Sequence, residues 1–213
     1  MPDRYPGYDV LDKRDTPSWN DATREAVNAR LALPDQPRFF TGAEWKMVAP
    51  LCDRIVPQPI GRPAIATAVL LDDKLYRNAT EGYRNAKLPP LQDAWRRGLA
   101  ALAAETAAAY GIAFELLAEE QKDALLTRMQ KGELSAPAWG GMPPAMFFSE
   151  RLAHDIVEAY YAHPTAWSEI GWGGPASPRG YVRMGFNRRD AWEPVELKGG
   201  DVARVTEANR RVR

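Results

Sequence analysis

The chain has 213 residues, and its 28 Lys+Arg are balanced by 28 Asp+Glu for a formal net charge of +0. That balance excludes a dedicated nucleic-acid binder, which needs an excess of Lys and Arg, and an acidic disordered segment. With 45% hydrophobic and 26% charged residues the composition is globular, enough for one sizeable core or two small ones. Tryptophan (7) and proline (18) are plentiful, whereas there are only 2 His and 1 Cys, so catalytic and ligand residues are scarce.

In chain order, the first forty residues are polar and punctuated by prolines. Arg4 to Pro17 reads as an extended arm, and Tyr5, Tyr8, Val10, Leu11 and Trp19 make this region more apolar than a free tail needs. A short helix is predicted from Asp21 to Leu33, capped by Ser18 or Asn20 and ended by Pro34. The clearest helix start is Thr41-Gly42-Ala43-Glu44, a capping-box pattern. Trp45, Val48, Cys52, Ile55 and Val56 then recur at helical spacing, with Pro50 expected to kink or split the helix and Pro57 to stop it. Ile65, Val69, Leu70 and Tyr76 mark a further helix, followed by a polar loop from Asn78 to Pro90.

The strongest helix is predicted from Leu91 to Tyr110, with Leu91, Trp95, Leu99, Leu102 and Thr106 as one stripe and Gly111 as its stop. Another covers Glu115 to Lys131, ended by Gly132, with Leu117, Gln121, Leu125 and Met129 on one face. After a Gly/Pro loop from Ser135 to Pro144, a helix from Ala145 to Tyr161 places Phe148, Leu152, Ile156 and Tyr160 together. Beyond Pro164 no periodicity remains. The segment is rich in Gly, Pro and aromatics, and Gly171, Gly173 and Gly174 are expected to set turns that let it lie flat. Lys198 to Arg213 reads as a mobile or partner-bound basic tail with at most a short helix. The expected fold is all-α, an irregular bundle of about five or six helices with extended N- and C-terminal arms. Its divisions fall at 1–40 (arm with short helix), 41–164 (helical core) and 165–213 (aromatic arm and basic tail).

Tests for chemistry are mostly negative. One cysteine, Cys52, in an apolar run, allows no internal disulfide and no Cys/His zinc spacing, and reads as a buried small hydrophobe. No nucleotide-binding glycine pattern, phosphate loop or nucleophile elbow is present. His154 shares a helix face with Glu150, and Arg151 shares one with Asp155. A charged helix flank is the plainer reading and acid–base chemistry the alternative. His163 before Pro164 is expected to act structurally, as a cation at a helix C-terminus. The pairs Asp72-Asp73 and Glu119-Glu120 read as solvated helix faces. No catalytic, cofactor-binding or metal residues are assigned. Aromatics without periodicity are an exposure liability unless they dock on something. Tyr5, Tyr8, Trp167, Trp172, Tyr181, Phe186 and Trp192 are therefore the expected partner-binding residues, across an interface of roughly 2,000 Å² or more. No secretory or twin-arginine signal is read at the N-terminus, and no run approaches the ~20 apolar residues of a membrane span.

The residues Phe40-Thr41-Gly42-Ala43-Glu44-Trp45, then Leu51-Cys52-Asp53-Arg54-Ile55-Val56-Pro57, resemble the opening of the gluconate 2-dehydrogenase subunit 3 family. Phe147-Phe148-Ser149-Glu150-Arg151-Leu152, Tyr160-Tyr161-Ala162-His163-Pro164 and Gly171-Trp172-Gly173-Gly174-Pro175 resemble its closing motifs. The resemblance covers roughly Phe40 to Trp192. It implies a non-catalytic small subunit that binds, stabilises and in some members escorts a large catalytic partner. That partner would be an FAD-dependent oxidoreductase of the glucose–methanol–choline type acting on a sugar or glycoside, glucoside 3-dehydrogenases included. FAD would sit on the partner, and haem on a cytochrome c subunit that takes the electrons. Members commonly carry a twin-arginine signal, which this sequence lacks, so a periplasmic complex would need a partner bearing the signal; otherwise it is cytoplasmic. A stand-alone cofactor-free helical enzyme and another helical adaptor or chaperone are the alternatives.

Overall fold

The computed structural model describes residues 3–80, 82–175, 185 and 188–212. In chain order the α-helices are α1 (Asp21–Leu31), α2 (Gly42–Ile55), α3 (Thr67–Tyr76), α4 (Leu91–Tyr110) and α5 (Glu119–Lys131). They are followed by α6 (Pro144–Phe147), α7 (His154–Tyr161), α8 (Pro164–Glu169) and α9 (Val202–Arg210). No strand occurs among the described residues, in agreement with the all-α expectation. The chain divides into two compact units, one of Pro34–Pro57 with Ala66–Ala159, the other of Met1–Leu33, Gln58–Ile65 and Tyr160–Arg213.

The first of these, the helical unit, follows the sequence closely. Thr41 N donates to Glu44 Oε2 at 2.7 Å and Glu44 N to Thr41 Oγ1 at 3.3 Å, the reciprocal cap that starts α2. The helix then runs through Pro50 without splitting. Val48, Leu51, Leu71, Trp95, Leu99, Leu102, Leu125 and Met129 are all buried in one cluster. Burial pushes the Cys52 thiol pKa up, so it stays a protonated hydrophobe. Gly111 and Gly132 end α4 and α5 in the left-handed conformation, where a side chain would clash with the backbone.

Two expectations are corrected here. The predicted stripe began at Phe148, but Phe147 is the fully buried residue and Phe148 only packs against the core. A π-helical turn from Phe148 to Ala153 joins α6 to α7 and inserts one residue into the period. Phe147 and Leu152, five apart, therefore share a face, and Ile156 continues it. Asp72 and Asp73 are not solvated. Asp72 is buried and accepts the backbone N–H groups of Arg38 (2.8 Å), Phe39 (3.0 Å) and Phe40 (3.0 Å), while Asp73 pairs with Arg38 and Arg77. Glu119 and Glu120 are exposed as expected, Glu119 reaching Arg54 at 2.8 Å.

The second unit is built from the segments read as arms, and it has its own core of Tyr8, Val10, Trp19, Val27, Trp167 and Val212. Arg62, from the 58–65 loop, donates to Asp3 Oδ1 (2.9 Å) and to the carbonyls of Tyr5 (2.8 Å) and Tyr8 (3.2 Å), pinning the N-terminal segment. From the other end of the chain, Leu197 N donates to the Arg4 carbonyl at 2.8 Å. Asn209 Nδ2 is within 3.0 Å of both the Pro6 and Val195 carbonyls. The two termini thus build one unit, where the sequence suggested two separate arms. The tail contains α9, capped by Asp201 Oδ1 accepting from Arg204 N at 3.1 Å. Gly171 has φ +70°, and a Cβ there would lie 2.4 Å from the Tyr5 ring, so only glycine lets this turn approach.

His163 reverses its expected role. It is the N-cap of α8, with Nδ1 accepting from Thr165 N at 3.2 Å. Nδ1 must be unprotonated to accept, and burial, then nearby Arg30, hold the His163 pKa below its ordinary value. The unfolded chain binds the proton first as pH falls, so this site's contribution to stability is intact above about pH 6.5 and is lost as pH drops below it. His163→Asn keeps the cap without the titration. The fall in Tm between pH 7.5 and 5.5 is expected to be smaller in that variant, and an unchanged fall would refute the assignment.

Candidate functional site

In the helical unit the densest polar chemistry gathers around Asp155. The π-turn rotates α7 so that this carboxylate points into the core, where it is fully buried. It accepts Trp95 Nε1 at 2.7 Å from α4 and Lys74 Nζ at 2.9 Å from α3. Arg151 Nη1 lies 3.4 Å away, as does His154 Nδ1. Lys74, itself almost buried, also holds Glu158. Such a cluster ties three helices to one another through a group that cannot be left unpaired.

His154, Asp155 and Glu158 place potential ligand atoms within 4.8 Å of one another. The set does not fit a metal, because the Lys74 ammonium already bridges both carboxylates at the position a cation would take. Glu150, Arg151 and His154 are not brought together as an acid–base set. Glu150 Oε1 accepts from Asn85 Nδ2 at 3.3 Å, while His154 and Arg151 turn to Asp155. Composition hid this cluster, although a lysine and an aspartate inside apolar helical runs, Leu70-Leu71-Asp72-Asp73-Lys74-Leu75 and Leu152 to Ile156, were its visible trace.

The expected partner-binding residues belong to the unit built by the termini. Tyr8 (2% exposed) and Trp167 (4%) serve its core, which leaves little of either ring for another protein. Trp167 Nε1 donates to the Tyr161 carbonyl at 2.6 Å. Tyr5 and Trp192 are half-buried. Among the described members of the set Trp172 is the most open to solvent, 37% exposed, stacked edge-on to Trp167 with centroids 4.8 Å apart. Tyr181 and Phe186 lie outside the described residues. Exposed apolar residues that the sequence did not single out for this role include Ile60, Tyr161 and Ile170.

These features define an all-helical protein with one large and one small core, an internal ion cluster of structural character and solvent-facing aromatic surface. The chain matches the family Gluconate 2-dehydrogenase subunit 3 over residues 42–174, and it belongs to that family. No curated protein and no solved structure matches it. No helix among the described residues is long and apolar enough to cross a membrane.

Proposed function

We propose that this chain is the non-catalytic small subunit of an oxidoreductase complex, binding and stabilising an FAD-dependent sugar or glycoside dehydrogenase of the glucose–methanol–choline type. The family match over residues 42–174 carries this reading. It is supported by the exposed Trp172, in a region where Tyr161 and Ile170 are also open to solvent. In this reading the flavin and the substrate pocket belong to the catalytic partner, and a cytochrome c subunit takes the electrons. In this reading the chain supplies surface, with Trp172 as an anchor and Tyr5, Trp192, Tyr181 and Phe186 as the further contacts expected from the sequence. Escort of the partner to the periplasm, and a glucoside 3-dehydrogenase as that partner, are further parts of the proposal.

The test is co-expression with such a flavoprotein, followed by affinity capture through a tag on this chain. The partner and its flavin absorbance are expected in the eluate. Trp172→Ala is expected to weaken the pair about 30-fold, the effect of losing a tryptophan hot spot. Full retention of the partner by a Trp172→Ala/Tyr181→Ala double variant would sink the assignment of that surface.

A further inference from the structure

A subunit role gives no task to a cleft in the helical unit. Its volume is about 200 Å³. Lys74, Arg84 and Arg151 line it, together with Asn78, Tyr83 and Leu91. Lys74 is committed to Asp155 and Glu158. The two arginines are not fully used. Arg84 donates through Nη1 to the Leu88 carbonyl, and among the described residues its Nε and Nη2 have no acceptor. Arg151 reaches Asp155 only at 3.4 Å through Nη1, and among the described residues its Nη2 has no acceptor. Its Nε is buried without a partner.

The remaining lining is suited to an organic body. The Tyr83 ring is 87% exposed and Leu91 is apolar and buried. Asn78, with φ +49°, is the one non-glycine described residue held in the left-handed region, so the loop is bent sharply where it meets the cleft. Guanidinium groups match carboxylates in shape and charge, and a pair of them with spare donors favours that group over a neutral ligand.

We propose that this cleft binds a free small organic acid, with its single carboxylate held by Arg84 and Arg151 and a flat apolar body resting on Tyr83 and Leu91. The proposal uses no residue of the proposed partner surface, so its failure would leave the subunit reading untouched. The probe is benzoate, titrated into the full chain alone while backbone amide NMR signals are followed. Saturable shifts confined to the 78–91 loop and to Arg151 are expected, with a Kd on the order of 1 mM. Arg151 also supports Asp155, so Arg84→Gln is the cleaner variant. It is expected to weaken binding about tenfold while leaving the thermal transition in place. Benzyl alcohol, which has the body without the charge, is expected not to bind. Absence of saturable shifts, or equal binding by Arg84→Gln, would each overturn the proposal.

Discussion

Asp155→Leu is expected to lower the unfolding free energy by about 3–5 kcal/mol, the range seen when one member of a buried ion pair is removed. Asp155 has no exposure, and three donors converge on it. Leucine fills comparable space, so the loss is not one of volume. It arises because the Trp95 N–H loses its acceptor and the almost-buried Lys74 and Arg151 lose their shared counter-charge. Glu158 still faces Lys74 but is half-exposed and compensates only in part. Adding Lys74→Met to Asp155→Leu is therefore expected to recover stability, because the buried ammonium goes with its partner. Urea denaturation of the three variants checks this. A loss below about 1 kcal/mol for Asp155→Leu would show that the cluster is not holding α3, α4 and α7 together.

Gly98→Ala pits two effects of opposite sign against each other. In a helix interior alanine is favoured over glycine by about 1 kcal/mol. In α4, however, a Cβ at position 98 would stand 2.1 Å from Phe147 Cζ and 2.4 Å from Cε1. The ring cannot easily withdraw, being wedged between Trp95 and Trp139 with centroids 5.8 and 5.9 Å away. Overpacking of this kind costs about 1–3 kcal/mol and can exceed it, so the steric effect is expected to win, with a net loss of about 2 kcal/mol. Phe147→Leu placed in the Gly98→Ala background should cost far less than it does alone. A double-mutant cycle gives the coupling. A Gly98→Ala protein more stable than the parent would contradict the packing described.

What the sequence revealed follows from how local each signal is. The cap at Thr41, the stripe on α4 and the stops at Gly111 and Gly132 depend on neighbours within a turn or two, and all were readable. The π-turn was not, since one inserted residue shifts the period and its cause is distant packing around Phe147. Asp72 and Asp155 looked like surface charges because their partners come from elsewhere in the chain. Asp72 is satisfied by backbone N–H groups 32–34 residues away. Asp155 receives Lys74 from 81 residues away. The aromatic reading of the terminal segments rests on their unusual apolar content. It did not anticipate that the two ends would consume part of that content in a core of their own, with Tyr8 and Trp167 inside it. His163 was misjudged for a related reason, since the helix that matters to it starts at Pro164 and does not end at Tyr161.

Family membership places this chain among dehydrogenase subunits, and the role proposed for it is to hold a flavoprotein. Size-exclusion chromatography of the co-expressed pair, with absorbance recorded at protein and flavin wavelengths, tests that most directly. A single peak larger than either chain is expected, carrying flavin in proportion to the partner, with a shift back toward separate chains on Trp172→Ala. A monomeric, well-folded chain that oxidises substrate alone, or one that never co-elutes with the co-expressed flavoprotein, would contradict this role.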